Sequence, residues 1–225
     1  LGKSLRSVVN QLYKNFCVTI IDNASQDQTA AIAQRMGFSV HKNKINIGYP
    51  AAINQVLNSV TSKYILTLNP DTVLDKWFIH SMVNAMESQS HLVGSASGVL
   101  MRVNDISTKS NIIDSAGLYI RKNRRQGLNY EFMSIAKVPR QISSIFGPDG
   151  AAAFYRREML EDIKIGDGEV FDNDFFMHKD DVDIAWRAQL RGWSSILVPT
   201  ARAYHIRTFR PGQRHRVSKY FRSVS

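Results

Sequence analysis

The chain has 225 residues, 44% of them hydrophobic and 21% charged, a mixture that excludes disorder for most of its length and leaves room for one large domain or two small ones. No stretch approaches the ~18 consecutive apolar residues of a membrane span, and a single cysteine, Cys17, excludes an internal disulfide framework or a thiolate zinc cluster. Twenty-nine Lys and Arg against 19 Asp and Glu give a net charge of +10, which favours polyanionic partners such as nucleic acid, anionic lipid headgroups or phosphorylated substrates.

Leu5, Val8, Val9 and Leu12 recur at helical spacing, and Cys17 to Ile21 is a β-rich run closed by Asp22-Asn23, so a helix and then a buried strand are predicted. Asp27 can cap a helix from Gln28 to Met36, Phe38 to His41 reads as a short strand, and Ile53, Val56, Leu57 and Val60 form the next apolar helical face. Tyr64 to Leu68 is again a strand. It stops at Asn69-Pro70-Asp71, because proline cannot donate to a ladder, and a helix from about Lys76 to Glu87 follows. Strands alternating with helices predict βαβ units and a parallel sheet, an α/β fold.

Beyond this the pattern is less regular. Strands are predicted near Val93 to Met101, Leu118 to Arg121 and Ser143 to Phe146, separated by polar, basic loops. Gly147-Pro148-Asp149-Gly150 is a turn, Ala151 to Tyr155 is small and apolar, Asp180 to Arg191 reads as a helix ended by Gly192, and Ile196 to Val198 is a last short strand. After Asp183 there is no acid, while Arg187, Arg191, Arg202, Arg207, Arg210, Arg214, Arg216, Lys219 and Arg222 follow, which suits either a solvated tail or a surface facing anionic lipid or phosphate.

In an open α/β sheet, ligands bind beyond the carboxyl ends of the strands, so acids that end successive strands point into one crevice. Asp22 and Asp71 meet that test, although strand-end Asp and Asn also simply make turns. A second concentration of acid is Asp172, Asp174, Asp180, Asp181 and Asp183, crowded beside aromatics in an otherwise basic chain. Asp180 and Asp181 fall at a helix start, where the macrodipole stabilises a carboxylate while its neighbour raises the pKa. That is the balance a general base needs, and equally what an acidic helix cap shows.

These residues carry a resemblance. Val18 to Asp27 (VTIIDNASQD), Asn46-Ile47-Gly48 with Asn54, Leu68-Asn69-Pro70-Asp71, Gly150-Ala151-Ala152 with Arg156-Arg157, Asp180-Asp181-Val182-Asp183 through Trp186-Arg187, and His205 stand in the order seen in family 2 glycosyltransferases. The Asn-Pro-Asp form resembles the bacterial rhamnosyltransferase-like branch. The resemblance covers nearly the whole chain and implies a GT-A fold, with a Rossmann-like, mostly parallel sheet, a nucleotide-sugar donor and inversion at the anomeric carbon. It implies that Asp22 accepts a hydrogen bond from the donor's pyrimidine, with Asn23 shaping the same turn and Asn46 and Gly48 packing beside the nucleotide. Asp71 is implied to hold Mg²⁺ or Mn²⁺ against the diphosphate with His205 completing that shell, and Asp181 to be the catalytic base, with Asp180 beside it. Gly150 and Ala151 would line the sugar site, because small residues let the backbone approach a ligand. Arg187 would either touch a phosphate or pair with Asp183, and Trp186 would be core or sugar platform.

Asn69 stands where the usual metal motif has a first acid, and Asp180 where the base motif usually has Glu. The family also begins with a hydrophobic strand ahead of the first helix, whereas this sequence opens inside that helix, so the first central strand is expected to be missing. On this reading residues 1–225 form a single glycosyltransferase domain, with a nucleotide-binding half (1–100), an acceptor and catalytic half (101–205) and a basic tail (206–225). The expected activity is inverting transfer from a pyrimidine-diphosphate sugar, dTDP-rhamnose favoured, to a lipid-linked or growing glycan in bacterial surface polysaccharide assembly. The expected location is the cytoplasm, peripheral to an anionic inner membrane face, and no nucleic acid partner is expected. A nucleotidyltransferase, or a non-catalytic protein that binds nucleotide, glycan or nucleic acid, is the alternative.

Overall fold

The computed structural model describes residues 1–105, 110–166 and 168–206. In chain order the first half runs α1 (Gly2–Val9), β1 (Ile20–Asp22), α2 (Thr29–Arg35), β2 (Val40–Lys42), α3 (Tyr49–Leu57), β3 (Tyr64–Leu68), β4 (Thr72–Leu74) and α4 (Phe78–Ser88). The second half runs β5 (Val93–Val103), β6 (Ile113–Ser115), β7 (Leu118–Ile120), β8 (Gln126–Leu128), β9 (Ser143–Ile145), β10 (Ala152–Arg156), α5 (Arg157–Asp162), α6 (Asp180–Leu190) and β11 (Ser194–Ile206).

The helices bury one stripe each. In α4 Phe78, Ile79, Met82, Ala85 and Met86 recur every three or four residues and form, with Val93, Ala96, Leu100 and Phe154, the core on one face of the main sheet. On the other face Ile184 and Ala188 of α6 and Met159 and Leu160 of α5 meet Ala153, Tyr155 and Phe171. β10 separates the two cores. Its successive side chains alternate between them, Ala152 and Phe154 to one and Ala153 and Tyr155 to the other, which is why the run is apolar throughout.

The main sheet has seven strands. Its path is β3-β10-β5-β11-β4, with β6 on β5 and β9 on β11. β3, β5 and β11 run one way and β1 pairs β2 in parallel, while β10, β4, β6 and β9 run antiparallel to their neighbours. β10, from late in the sequence, thus enters between β3 and β5. β1 and β2 form a two-stranded sheet of their own, and among the described residues neither β1 nor β3 has a second neighbour. Among the described residues the β1–β2 pair and the seven-stranded sheet are therefore separate.

Several elements differ from the sequence reading. α1 ends at Val9, leaving Leu12 outside it and exposed, and β1 is only Ile20–Asp22, with Ile20 and Ile21 half-buried and Asp22 buried. β11 is far longer than Ile196 to Val198. Its register against β5 slips between Leu197 and Arg202, and this bulge absorbs Pro199, whose missing N–H would otherwise end the ladder. β4, β6, β8, β10 and α5 were not anticipated as elements. No helix among the described residues is long and apolar enough to cross a membrane. The basic stretch 207–225 lies outside the described residues.

Candidate active site

The first cluster stands at the end of β1. Asp22 is buried, and its Oδ1 accepts from the Ser25 N–H at 3.1 Å, holding the turn that places Ala24 at φ 63°. Asn23 clamps the opposite loop. Its Nδ2 donates to Asn46 Oδ1 at 2.8 Å and to the Gly48 carbonyl at 3.1 Å, and its Oδ1 accepts from the Ile47 N–H at 3.2 Å. Asn46 Oδ1 also accepts from the Gly48 N–H at 3.0 Å. Asp22, Asn23, Asn46 and Gly48 are therefore brought into one loop cluster.

Gly48 precedes α3 at φ 86°, with the Phe176 ring and carbonyl so near that a Cβ would lie 2.8 Å from each. The Tyr49 N–H donates to that carbonyl at 2.7 Å. One turn on, Asn54 binds both backbone groups of Phe171, donating to its carbonyl at 2.6 Å and accepting from its N–H at 3.0 Å. The aromatic, acid-rich loop ahead of α6 is so fastened to the loop beyond β2.

The second cluster joins β3, β4 and β11. Asp71 lies in the turn between β3 and β4, half-exposed, with Oδ1 3.4 Å from the Nε2 of buried His205. Two cis ligands in an octahedral shell with ~2.1 Å bonds stand roughly 3 Å apart, so this pair suits a hard divalent cation. Thr72, opposite His205 in the ladder, keeps a buried Oγ1 without a hydrogen bond among the described residues, a further polar atom at that place. Among the described residues no cluster of three or more His, Cys, Asp or Glu could hold a metal. Asp71 and His205 would thus be the protein's share of a shell otherwise made of phosphate oxygens and water.

The third cluster is the start of α6. Asp181 Oδ2 accepts from the Gly150 N–H at 3.2 Å and Oδ1 from the Val182 N–H at 2.9 Å. Burial and then the nearby Asp149 push its carboxyl above the usual range, against those two hydrogen bonds. Asp180 is more enclosed, and burial followed by the charge of Asp181 raises it from its ordinary 3.8 to about 6. Asp149 Oδ1 accepts from the Ala151 N–H at 2.9 Å and so shapes the Gly150-Ala151 turn.

Backbone links the second and third clusters. The Asn69 N–H donates to the Ala151 carbonyl at 3.0 Å, Gly150 precedes Ala151, and Gly150 binds Asp181. Asp71, His205, Gly150, Ala151 and Asp181 therefore share one end of the sheet, where β3 closes and β10 begins.

Two further residues of α6 take defined places. Arg187 pairs with Asp183 at 2.5 Å and donates to the Ile163 and Val170 carbonyls, so it braces α6 against the preceding loop. Trp186 is part-exposed and meets Phe146 edge-on at 6.0 Å. Asp149, read only as a turn residue, and Asp114, read as loop, are functional candidates missed from the sequence. The Gly-Pro-Asp-Gly run directly before the small-residue stretch was a signal for the first; nothing local marked the second.

The α/β sheet, with a loop cluster at one strand end and a carboxylate–histidine pair at another, has the GT-A fold. The chain belongs to glycosyl transferase family 2, whose sequence model matches residues 1–164. An uncharacterized glycosyltransferase of Haemophilus influenzae is 24% identical over 102 residues, 43% of this chain and 32% of that protein, so the chain spans about a third of that curated relative's length. Among solved structures, GalNAc-T7 with UDP, GalNAc and Mn²⁺ matches at TM-score 0.70 and 12% identity, over 90% of this chain and 40% of its own. The mannosyltransferase PcManGT of Pyrobaculum calidifontis, in complex with GDP-Man and Mn²⁺, matches at TM-score 0.62 and 18% identity, over 90% and 52%.

Proposed function

We propose that this chain transfers a sugar with inversion from a nucleoside diphosphate donor to a glycan or lipid-linked acceptor, with dTDP-rhamnose as the favoured donor. The observation that supports the reading is the backbone path Asn69–Ala151–Gly150–Asp181, by which the candidate base and the Asp71 turn are tied to the same end of β3 and β10. Asp22 and Asn23, with Asn46 and Gly48, would receive the nucleoside, and Gly150 and Ala151 would flank the sugar. Asp181 would take the proton of the acceptor hydroxyl as its oxygen bonds to the anomeric carbon, while the bond to the diphosphate breaks and the nucleoside diphosphate departs. One base and one displacement give inversion. Its raised proton affinity suits that transfer, since Asp181 must hold the proton it receives.

Asp71 and His205 would hold Mg²⁺ or Mn²⁺, which when bound offsets the charge of the departing diphosphate. The two solved neighbours, one with UDP and Mn²⁺ and one with GDP-Man and Mn²⁺, support a nucleoside diphosphate and a divalent ion. Rhamnose rests on the Asn69-Pro70-Asp71 resemblance, and a pyrimidine on that of Asp22. Residues 1–225 are proposed to act as a single domain in bacterial surface polysaccharide assembly, at the cytoplasmic face of the membrane, with the basic stretch after Asp183 meeting anionic lipid.

Incubation with dTDP-rhamnose, UDP-GlcNAc or GDP-mannose and an acceptor pool, with and without Mn²⁺, tests this through nucleoside diphosphate release and NMR of the product's anomeric proton. Release from dTDP-rhamnose above the others, with inverted configuration, is expected. Retained configuration would overturn the single displacement, and release from none of the donors would overturn the activity.

A further inference from the structure

Asp114 is fully buried and lies between two cationic or proton-bearing groups from neighbouring strands. Its Oδ1 accepts from Arg102 Nη1 of β5 at 2.9 Å, and its Oδ2 faces His205 Nδ1 of β11 at 2.8 Å. Arg102 and His205 are register partners in the β5–β11 ladder. Asp114 itself stands in a bulge, because Leu100 pairs Ser115 and Met101 pairs Ile113, so Asp114 is the extra residue. A bulge re-aims a side chain, here toward the histidine.

We propose that Asp114 is the positioning residue of His205, accepting its Nδ1–H and thereby presenting the Nε2 lone pair toward Asp71 for a divalent cation. This rests on the metal reading of Asp71 and His205 given above. An imidazole has one proton to place when neutral, and the partner of one nitrogen decides which face of the ring can ligate. A carboxylate is required at position 114. Arg102 and His205 Nδ1–H both donate, and Asp114 accepts both. An asparagine has one acceptor oxygen, so Asp114→Asn either leaves an N–H facing Arg102 or turns its amide donor to His205 Nδ1. The second arrangement moves the imidazole proton to Nε2 and blocks the ligand.

Mn²⁺ binding in the presence of UDP, followed by the electron paramagnetic resonance of free Mn²⁺, compares the wild type with Asp71→Asn and Asp114→Asn. A loss of affinity on the order of 10–100-fold in Asp114→Asn is expected, with a melting curve in the absence of metal to show that the variant is folded. In the wild type with Mg²⁺ and UDP, the ¹⁵N spectrum of His205 should show the proton on Nδ1, a result independent of any variant. Unchanged Mn²⁺ affinity in Asp114→Asn beside a loss in Asp71→Asn, or a proton on Nε2 in the wild type, would overturn the role of Asp114 alone. No Mn²⁺ binding by the wild type would overturn the metal reading and this inference together.

Discussion

Asp180 and Asp181 are adjacent, yet their surroundings separate them. Asp181 has two backbone donors and a face toward Gly150, whereas Asp180 is buried; both act on Tyr49 and Tyr155, whose hydroxyls burial also holds above the ordinary range. Asp181→Asn should therefore leave nucleotide binding nearly intact and lower turnover by roughly 10²–10⁴-fold, measured by titration and by nucleoside diphosphate release. Asp180 makes a different prediction. Its carboxyl is raised to about 6 in the fold from 3.8, so the folded state binds more protons than the unfolded one between those values, and stability falls as pH rises through that window. Asp180→Asn should stabilise the protein by up to about 3 kcal/mol at pH 7 and by little at pH 4, read from urea melts at both. Much at this scale was legible. Strand-end Asp22 and Asn23, the Asn46–Gly48 loop and the acid pair each carried a local pattern. Asp114 did not, because its meaning lies in a contact 91 residues away with His205 and in a bulge that no periodicity shows.

At the scale of elements, loops that lock to one another position the site. Gly48 has both a positive φ and a wall of Phe176, so Gly48→Ala should cost roughly 1–3 kcal/mol and weaken nucleotide binding, because the Asn23 clamp and the start of α3 shift together. Gly150 is the contrast. A Cβ there would lie at an ordinary 3.5 Å from Asp181 Cβ, so Gly150→Ala should change stability by less than about 0.5 kcal/mol while lowering turnover, since the added methyl faces the candidate base. Denaturation and rate measurements on both variants separate the two. The longer helices were legible, α4 with its apolar stripe and α6 with its acidic start and Gly192 stop, whereas the six-residue α5 was not. β10 was visible as an apolar run but not as a strand between β3 and β5, since chain order gives no hint of that insertion. β11 was cut short at Pro199, and only the bulge, with Gly98 close against the Ala201 carbonyl, carries the strand on to His205.

Over the whole molecule, firm and loose parts lie side by side. β5 and β11 are long and flanked on both sides, whereas β1 and β2 are three residues each and pair only with each other among the described residues. Amides of Ile20–Asp22 and Val40–Lys42 should exchange with solvent faster than those of β5 by on the order of 10²-fold or more, and UDP with Mn²⁺ should slow them selectively; equal protection without ligand would contradict the division. The α/β class followed from alternating patterns early in the sequence, while the pairing of strands distant in sequence did not, because period-two alternation marks a strand but not its neighbours. On the proposed function the Asp22 loop cluster and the Asp71–His205 pair would form one nucleoside diphosphate site. Melting temperatures of the wild type and Asp71→Asn with thymidine, dTDP or UDP, each with and without Mn²⁺, test it most directly. A diphosphate at a hundredfold its Kd should add about 2.7 kcal/mol, several degrees, in the wild type with Mn²⁺ and much less in Asp71→Asn or without metal. No shift with any diphosphate, or the same shift in Asp71→Asn as in the wild type, would contradict it.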